Sequence, residues 1–312
     1  MLMQVMQWKL SGMRKEFDML SFKKVEIDDI PILNEYYSRY PSGSCDTTVG
    51  SIVMWRDYFN YEYAISEDTL TVLSKYDGNY CFSFPIGSNP RKMIELIEEY
   101  CKINGVLMKV CTLNEEETNI IANIFPDYTS FYDRDWFDYV YDFKALASLE
   151  GKNYSHQRNQ IHKFEREYLN YSYEVISDDN LVDVIAFNNS FTFHAEKQDD
   201  SADREIEMCL DVLKNYKKYD LVGGLLRVDG NVVGYSIGEI IGDSIYIHIE
   251  KADTSYRGVY QMISNLFLKN NASDEIKFVN REEDCGDEGL RKSKLSSNPL
   301  FLLQKNFCSC IR

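Results

Sequence analysis

No stretch of this 312-residue chain approaches the roughly 20 consecutive apolar residues that a membrane-spanning helix needs. The opening segment, MLMQVMQWKL, lacks the basic region, apolar run and small-residue cleavage site of a secretory leader. The expectation is a cytoplasmic protein with no integral membrane association. Paired cysteines are missing as well. Cys45, Cys81, Cys101, Cys111, Cys209 and Cys285 stand singly, Cys308 and Cys310 lie near the end, and no Cys-x-x-Cys with histidine partners occurs. Reduced thiols are expected, with no zinc site and no disulfide framework. Basic charge is scarce: 34 Lys and Arg against 50 Asp and Glu leave a net charge of -16. Sequence-independent binding of a phosphate polymer draws on Lys and Arg, so the surface as a whole does not support it. Low-complexity tracts and repeats of solenoid length are absent too.

What is present is ordinary for a soluble globular protein, with 44% hydrophobic and 27% charged residues. The length predicts two domains of about 150 residues each. We expect a poorly ordered extension over residues 1–20, a first domain over 21–150, and a second over 151–312 that opens with a linker helix. Met13 and Met19 are alternative starts, because the regular pattern begins only at Phe22. One stretch reads against the acidic background: GKNYSHQRNQIHKFEREY, residues 151–168.

Periodicity supplies the elements. Asp28 and Asp29 followed by Pro31 and the spaced Ile32, Leu33, Tyr36 and Tyr37 start a helix. TTVGSIVMWRDYF predicts another. YEYAI, TLTVLSKY and YCFSFPI form a small antiparallel meander, with an Asp77-Gly78 turn between the last two. Helix RKMIELIEEYCKI, strand LMKVCTL, helix EEETNIIANIF and the extended FYDRDWFDYVYDF complete the first half. In the second half the basic segment reads as a helix, followed by strand YSYEVI and helices over 181–194 and 204–219. LVGGLLRVDG and VVGYSIGEI then pair through Asp229-Gly230, and DSIYIHIEKAD leads into a helix over 256–269 and strand EIKFVNRE. Hairpin, central strand, helix, parallel strand, helix, terminal strand: the order occurs twice, and it predicts a duplicated α/β unit. The aromatics, 14% of the chain, fall mostly at strand or helix spacing, which assigns them to packing.

The second half resembles the acyl-CoA N-acyltransferase-like (GNAT) fold. GKNYSHQRNQIHKFEREY, IHIEKADTSYRGVYQMISNLF, NREEDCGDEGLRKSK and, near the start, SCDTTVGSIVMWRDYF resemble the DUF2156 family, related to the C-terminal domain of phosphatidylglycerol lysyltransferases. The resemblance covers most of residues 20–300. It implies an α/β fold of mixed sheets arranged as two tandem GNAT-like domains, and an aminoacyl group moved from a charged tRNA to an acceptor amine or hydroxyl. A phosphatidylglycerol acceptor is not expected, because neither the multi-helix membrane portion nor a basic amphipathic substitute for it is seen.

Candidate site residues fall past the C-terminal ends of predicted strands, where open sheets bind ligands. The loop Ser255-Tyr256-Arg257-Gly258-Val259-Tyr260 lies where GNAT enzymes carry Gln/Arg-x-x-Gly-x-Gly/Ala, whose backbone N–H groups cradle a pyrophosphate. Only Gly258 fits, so coenzyme A is not expected there in the usual pose. Tyr256, Arg257, Gly258 and Tyr260 either line a substrate site or cap and pack the helix. On the central strand, alternation places His248 and Glu250 on one face. They read as a general base and its partner, or as a buried polar pair holding the strands apart. In the run Asn280, Arg281, Glu282, Glu283, Asp284 the carboxylates are suited to an ammonium, while Arg291 and Lys294 on the next helix suit a phosphate or carboxylate. A solvated charge run is the alternative. Lys152, Arg158, Asn159 and Lys163, with His156, His162 and Arg166, offer phosphate contacts or form an ordinary interdomain helix. His194 is assigned a core or capping role.

These readings converge on a soluble acyltransferase whose donor is aminoacyl-tRNA or an acyl-CoA and whose partner is tRNA or a small phosphorylated ligand. No metal site is expected. Two alternatives stay open: a non-catalytic binding protein on the same fold, and an acetyl-CoA-dependent N-acetyltransferase.

Overall fold

Two mixed sheets organise the chain. The computed structural model describes residues 20–76, 78–191 and 200–310; expectations placed on residues 1–19, on Asp77 and on His194 lie outside the described residues. The first half contributes β1 (Lys23–Lys24), β2 (Glu62–Ser66), β3 (Thr69–Tyr76), β4 (Asn79–Ser83), β5 (Ile86–Gly87), β6 (Met108–Leu113) and β7 (Thr129–Tyr132), with helices α1 (Ile30–Arg39), α2 (Val49–Met54), α3 (Pro90–Asn104) and α4 (Glu115–Ile124). Next come β8 (Asp138–Asp142), α5 (Phe143–Ser148), α6 (Ser155–Glu167), β9 (Tyr171–Val175), α7 (Leu181–Phe191), α8 (Asp200–Lys214) and β10 (Val222–Val228). The chain closes with β11 (Asn231–Ile241), β12 (Ser244–Ala252), α9 (Val259–Asn270), β13 (Phe278–Asn280), α10 (Glu288–Ser296), β14 (Phe301–Leu303) and β15 (Asn306–Cys310).

The strand orders are β1-β2-β3-β4-β6-β15-β7 and β14-β8-β13-β12-β11-β10-β9. Reversing the second aligns it with the first, strand for strand, and exposes an exchange. Between β6 and β7 sits β15 from the end of the chain, and between β13 and β14 sits β8 from the middle. Each sheet therefore takes its penultimate strand from the other half. Each also has one parallel pair at its centre, β4 with β6 and β12 with β13, while the meander β2-β3-β4 and the hairpin β10-β11 are antiparallel, as the turn signals predict.

Local chemistry explains most boundaries. In α3, Asn89 accepts from the Lys92 amide, Pro90 occupies the first turn, and Gly105 closes the helix in the left-handed region at φ 65°, leaving Met93, Ile94, Ile97 and Cys101 buried on one face. Gly258, at φ +83°, delays α9 to Val259, so the predicted start at residue 256 is a turn instead. The basic stretch is a 3-10 turn (Lys152–Tyr154) followed by α6.

Three cores result. One packs α3 and α4 on the first sheet through residues such as Ile97, Ile121 and Phe82. A second lies between the second sheet and α5, α6 and α9, around Phe164, Ile263 and Phe267. The third joins the halves, because Leu33, Tyr37, Ile52 and Val53 of the first pack with Tyr235, Ile237 and Ile249 of the second. Tyr37, Tyr139, Tyr141, Tyr235 and Tyr246 are almost wholly buried, the packing role expected of the aromatics. The expectation of eight reduced thiols is corrected for two: Cys81 on β4 and Cys111 on β6 form a disulfide, with Cα atoms 6.0 Å apart. Adjacent strands bring them together, whereas in sequence they stand thirty residues apart, with no spacing motif.

Candidate active site

The parallel pair β12 and β13 is matched only from Ser244↔Phe278 to Tyr246↔Asn280. Beyond that register β12 continues to Ala252 while β13 stops, so the sheet opens past the C-terminal end of β13. A cavity of ≈ 80 Å³ lies at this opening, lined by Glu250, Arg281, Tyr260, Gln157, His156, Asn265 and serines of α9 and α10. Glu250 Oε1 accepts from Arg281 Nη2 at 3.0 Å, and Arg281 also lies over the Tyr141 ring. Glu250 Oε2 is buried and has no hydrogen-bond partner among the described residues.

His248 takes different partners. It is the extra residue of a bulge, because Ile237 pairs with Ile249 and Gly238 with Ile247. Its Nδ1 lies 2.7 Å from Glu282 and its Nε2 2.9 Å from Glu239, whose same oxygen accepts from the Gly50 amide at 2.8 Å. Burial disfavours charge on this ring, but the two carboxylates outweigh it and raise the pKa to about 10. At neutral pH His248 is an imidazolium donating to both, with no lone pair to take a proton.

The acidic run after β13 divides among internal partners. Glu282 and Cys285 sit at positive φ, which turns the loop tightly, and Asn280 Oδ1 accepts from the Glu282 amide. Asp284, fully buried, accepts from Arg291 Nε and Nη2 at 2.9 and 2.6 Å, from Tyr139 at 2.6 Å and from Arg134 at 3.2 Å. Burial opposes its charge, but these donors hold its carboxyl well below the usual range. Lys294 is spent on the carbonyls of Arg281 and Glu283, and burial lowers its pKa. The run does receive an ammonium, but that ammonium belongs to the chain: Lys305 lies 2.5 Å from Asp46, 2.6 Å from Asp138 and 3.6 Å from Glu283. Cys45 Sγ completes the cluster at 3.1 Å from Glu283 and 3.2 Å from Asp138. Burial pushes the Cys45 thiol and the Glu283 carboxyl up, while Lys305 and Asn280 hold Asp138 down against its own burial. Although Cys45, Asp138 and Glu283 are close enough to share a metal ion, Lys305 already supplies their positive charge.

The helix-capping loop packs in part against α6, with Ser255 and Arg257 exposed. Arg257 donates its amide to Tyr168 OH at 3.1 Å, Tyr256 packs on the Tyr168 ring, and a Cβ on Gly258 would collide with the Gln160 carbonyl of α6. Of the N–H groups that would cradle a pyrophosphate, that of Arg257 is taken by Tyr168, while those of Ser255, Tyr256 and Val259 bond to oxygens of the loop itself. On α6, Arg158 caps the preceding turn by donating to the Leu149 and Gly151 carbonyls and Asn159 is exposed; Lys163 and Arg166, and Lys152 in the turn before the helix, form no ion pair among the described residues.

The family described as phosphatidylglycerol lysyltransferase, C-terminal, matches residues 37–308. The chain belongs to this family. A conserved protein of unknown function from Bacteroides thetaiotaomicron is similar in structure with a TM-score of 0.88 and 26% identity, over 94% of this chain and 100% of that one. The C-terminal DUF2156 domain of a protein named as a lysylphosphatidylglycerol synthetase from Agrobacterium fabrum superposes with a TM-score of 0.66 at 12% identity, covering 90% and 91%. L-PGS from Bacillus licheniformis gives 0.65 at 13%, over 90% of this chain and 91% of its own. FemX shares the fold at a TM-score of 0.62 and 9% identity, covering 93% and 97%. Among curated sequences, an uncharacterised Mycoplasmoides gallisepticum protein is 24% identical over 173 residues, and the match spans about half of each chain, 54%. The fold is therefore that of two GNAT-like domains in tandem, and no helix among the described residues is long and apolar enough to cross a membrane.

Within this member of the phosphatidylglycerol lysyltransferase C-terminal family, sequence reasoning missed Gln157, Lys305, Asp138, Cys45 and Glu239. Gln157 left a signal: it stands four residues before Ile161 on the buried face of α6, where a polar side chain needs a reason. The others had none, since their partners lie far along the chain.

Proposed function

We propose that the protein transfers an aminoacyl group from a charged tRNA to an amine or hydroxyl acceptor, in the cavity where β12 and β13 part. The acceptor's lone pair attacks the ester carbonyl, the ester C–O bond breaks, and the terminal hydroxyl of the tRNA leaves with the acceptor's proton. The observation that carries this reading is Glu250, which lines the cavity and whose Oε2 has no partner among the described residues, while Glu282, Glu283 and Asp284 are held by His248, Lys305 and Arg291. His248 is assigned a positioning role, tying β12 to α2 and the loop after β13. Membership of the lysyltransferase family and the fold shared with L-PGS and FemX support the reaction class. The loop before α9 has its Ser255, Tyr256, Arg257 and Val259 amides already bonded and Gly258 set against α6, which disfavours coenzyme A as donor.

The basic residues of α6 support a tRNA donor. Gln157 lines the cavity, and Lys163 and Arg166 follow on the same helix within roughly 15 Å at 1.5 Å per residue, so a donor's end and its phosphates can be met by one element. Incubation with a charged tRNA pool and small amine or hydroxyl acceptors, read by mass spectrometry, tests the reading. Transfer should occur, and Glu250→Gln should reduce it at least about a hundredfold with thermal unfolding little changed. Turnover with acetyl-CoA alone would replace this reading with acetyl transfer.

A further inference from the structure

The strand orders of the two sheets end at β1, β7, β14 and β9. Three of these edges carry the features by which a strand avoids pairing with another chain, namely short length and charge. β1 is two lysines, β14 is three residues long with Phe301 packed on Phe278, and β9 carries Glu174 in an ion pair with Arg227. β7 has neither charge, proline nor bulge: its residues TSFY are all exposed, and its register with β15 runs unbroken from Thr129↔Ser309 to Tyr132↔Asn306. Its outer side pairs with no strand among the described residues. Phe131 and Tyr132 are each 62% exposed. Phe131 stacks on Phe307, which Trp136 meets edge-on, with ring centroids 5.2 and 6.4 Å apart. An open row of backbone donors and acceptors thus lies beside an aromatic shelf.

Charge selects what can pair there. Asp127 and Asp133 flank β7, both exposed and neither in an ion pair among the described residues, whereas Arg134 and Asp135 just beyond are committed to Asp284 and Arg291. Lys109 shares the face of Phe131 but lies two strands inward, bonded to Asn79. We propose that β7 is a docking edge for an extended, basic polypeptide segment. The segment adds to the first sheet as a further strand, sets an apolar side chain against Phe131, and places Lys or Arg near Asp127 and Asp133. The two aspartates stand at most roughly 20 Å apart, at about 3.3 Å per residue, which sets the spacing of the partner's cations. A second copy of this chain fits badly, because antiparallel pairing of β7 with itself brings Asp127 of one copy toward Asp133 of the other, and like charges across strands are destabilising. The same aspartates repel a phosphate polymer or an anionic bilayer. None of this depends on the transfer reading, since β7 belongs to the first sheet.

The full chain should be titrated with labelled peptides of about seven residues, alternating Val and Thr around a central Phe, and followed by fluorescence anisotropy and hydrogen exchange. One peptide carries Lys at both ends, a second Glu at both ends, and a third has Lys ends with Pro in place of Val. The Lys-ended peptide should bind about tenfold or more tightly than the Glu-ended one at low salt, with the gap narrowing as salt is raised, and should protect amides within residues 129–132. Proline, which removes backbone donors, should weaken binding by about tenfold. Phe131→Ser, and Asp127→Asn combined with Asp133→Asn, should each lower the affinity by about fivefold or more. Asn at 133 can still accept from the Asp135 amide, so the double variant removes charge and retains the turn. The comparison of peptides on the wild-type chain needs no variant, so a substitution that impairs folding does not remove the test. Equal binding of Lys-ended and Glu-ended peptides, binding of neither, or protection confined to other residues overturns the docking edge. Concentration-dependent dimerisation that Phe131→Ser abolishes gives the edge to a second copy and overturns the basic partner.

Discussion

The two sheets share one strand order, yet their central parallel pairs end differently. In the second, β12 outruns β13 and leaves a cavity of ≈ 80 Å³ edged by Glu250, Arg281 and Gln157. In the first, β4 ends at its last pairing, Ser83 with Cys111, and the void past the two strands is ≈ 10 Å³, at the threshold for a single water. Lys305 and the residues just before it fill that end, and the Cys81–Cys111 disulfide fastens the pair. Of two ends with the same strand order, one is open and the other closed. The closed end also serves the open one, because Lys305 reaches across to Asp138 and Glu283 of the second sheet's region. Under the proposed reading, the first end is structural and the second takes the ligand.

Removing the plug should have the largest effect. Lys305→Ala leaves Asp138, fully buried, and Asp46 without their cation, and truncating one partner of a buried ion pair costs about 3–5 kcal/mol. Chemical denaturation should show a loss of that size in one cooperative transition, since β15 begins at the next residue and binds both halves. A loss under 1 kcal/mol would mean that the first end is closed by packing alone.

Separating the fastened strands comes next. Cys81→Ser with Cys111→Ser removes a crosslink spanning 30 residues, for which chain entropy predicts a loss of about 3–4 kcal/mol at most. Transfer at the second cavity should stay within about twofold. A large fall in rate would show that the two ends are coupled and that the division of labour drawn above is too sharp.

Legibility in sequence followed the range of the interactions. Turns such as Asp229-Gly230, the apolar spacing of α3 and the alternation of β12 are local, and the strands and helices they predict are there. Alternation failed at one place that matters: the bulge at His248 breaks the period, so His248 and Glu250 diverge to Glu239 and Arg281 in place of acting together. The exchange of β8 and β15 was invisible, because each strand looks like an ordinary end to its own half. Lys305 was missed for the same reason, lying 260 residues from Cys45 in sequence yet 3.3 Å from its sulfur. The charge run after β13 was visible as chemistry, but its sequence could not tell an internal network from a ligand site.

The smallest effect probes the second sheet's own seam. Gly50 is held in α2 by close approach, since a Cβ would fall on His248 Nε2 and Glu239 Oε1, and neither can retreat without breaking the clamp. Gly50→Ala should therefore cost about 1–3 kcal/mol at neutral pH. Its pH dependence says more. His248 has a folded pKa of about 10 against 6.5 ordinarily, so its contribution is complete below about pH 6.5 and drains away as pH rises toward 10. Wild-type stability should fall over that window, and the slope should flatten in Gly50→Ala and vanish in His248→Gln. An unaltered slope in His248→Gln would assign the alkaline loss to another group and release His248 from its positioning role.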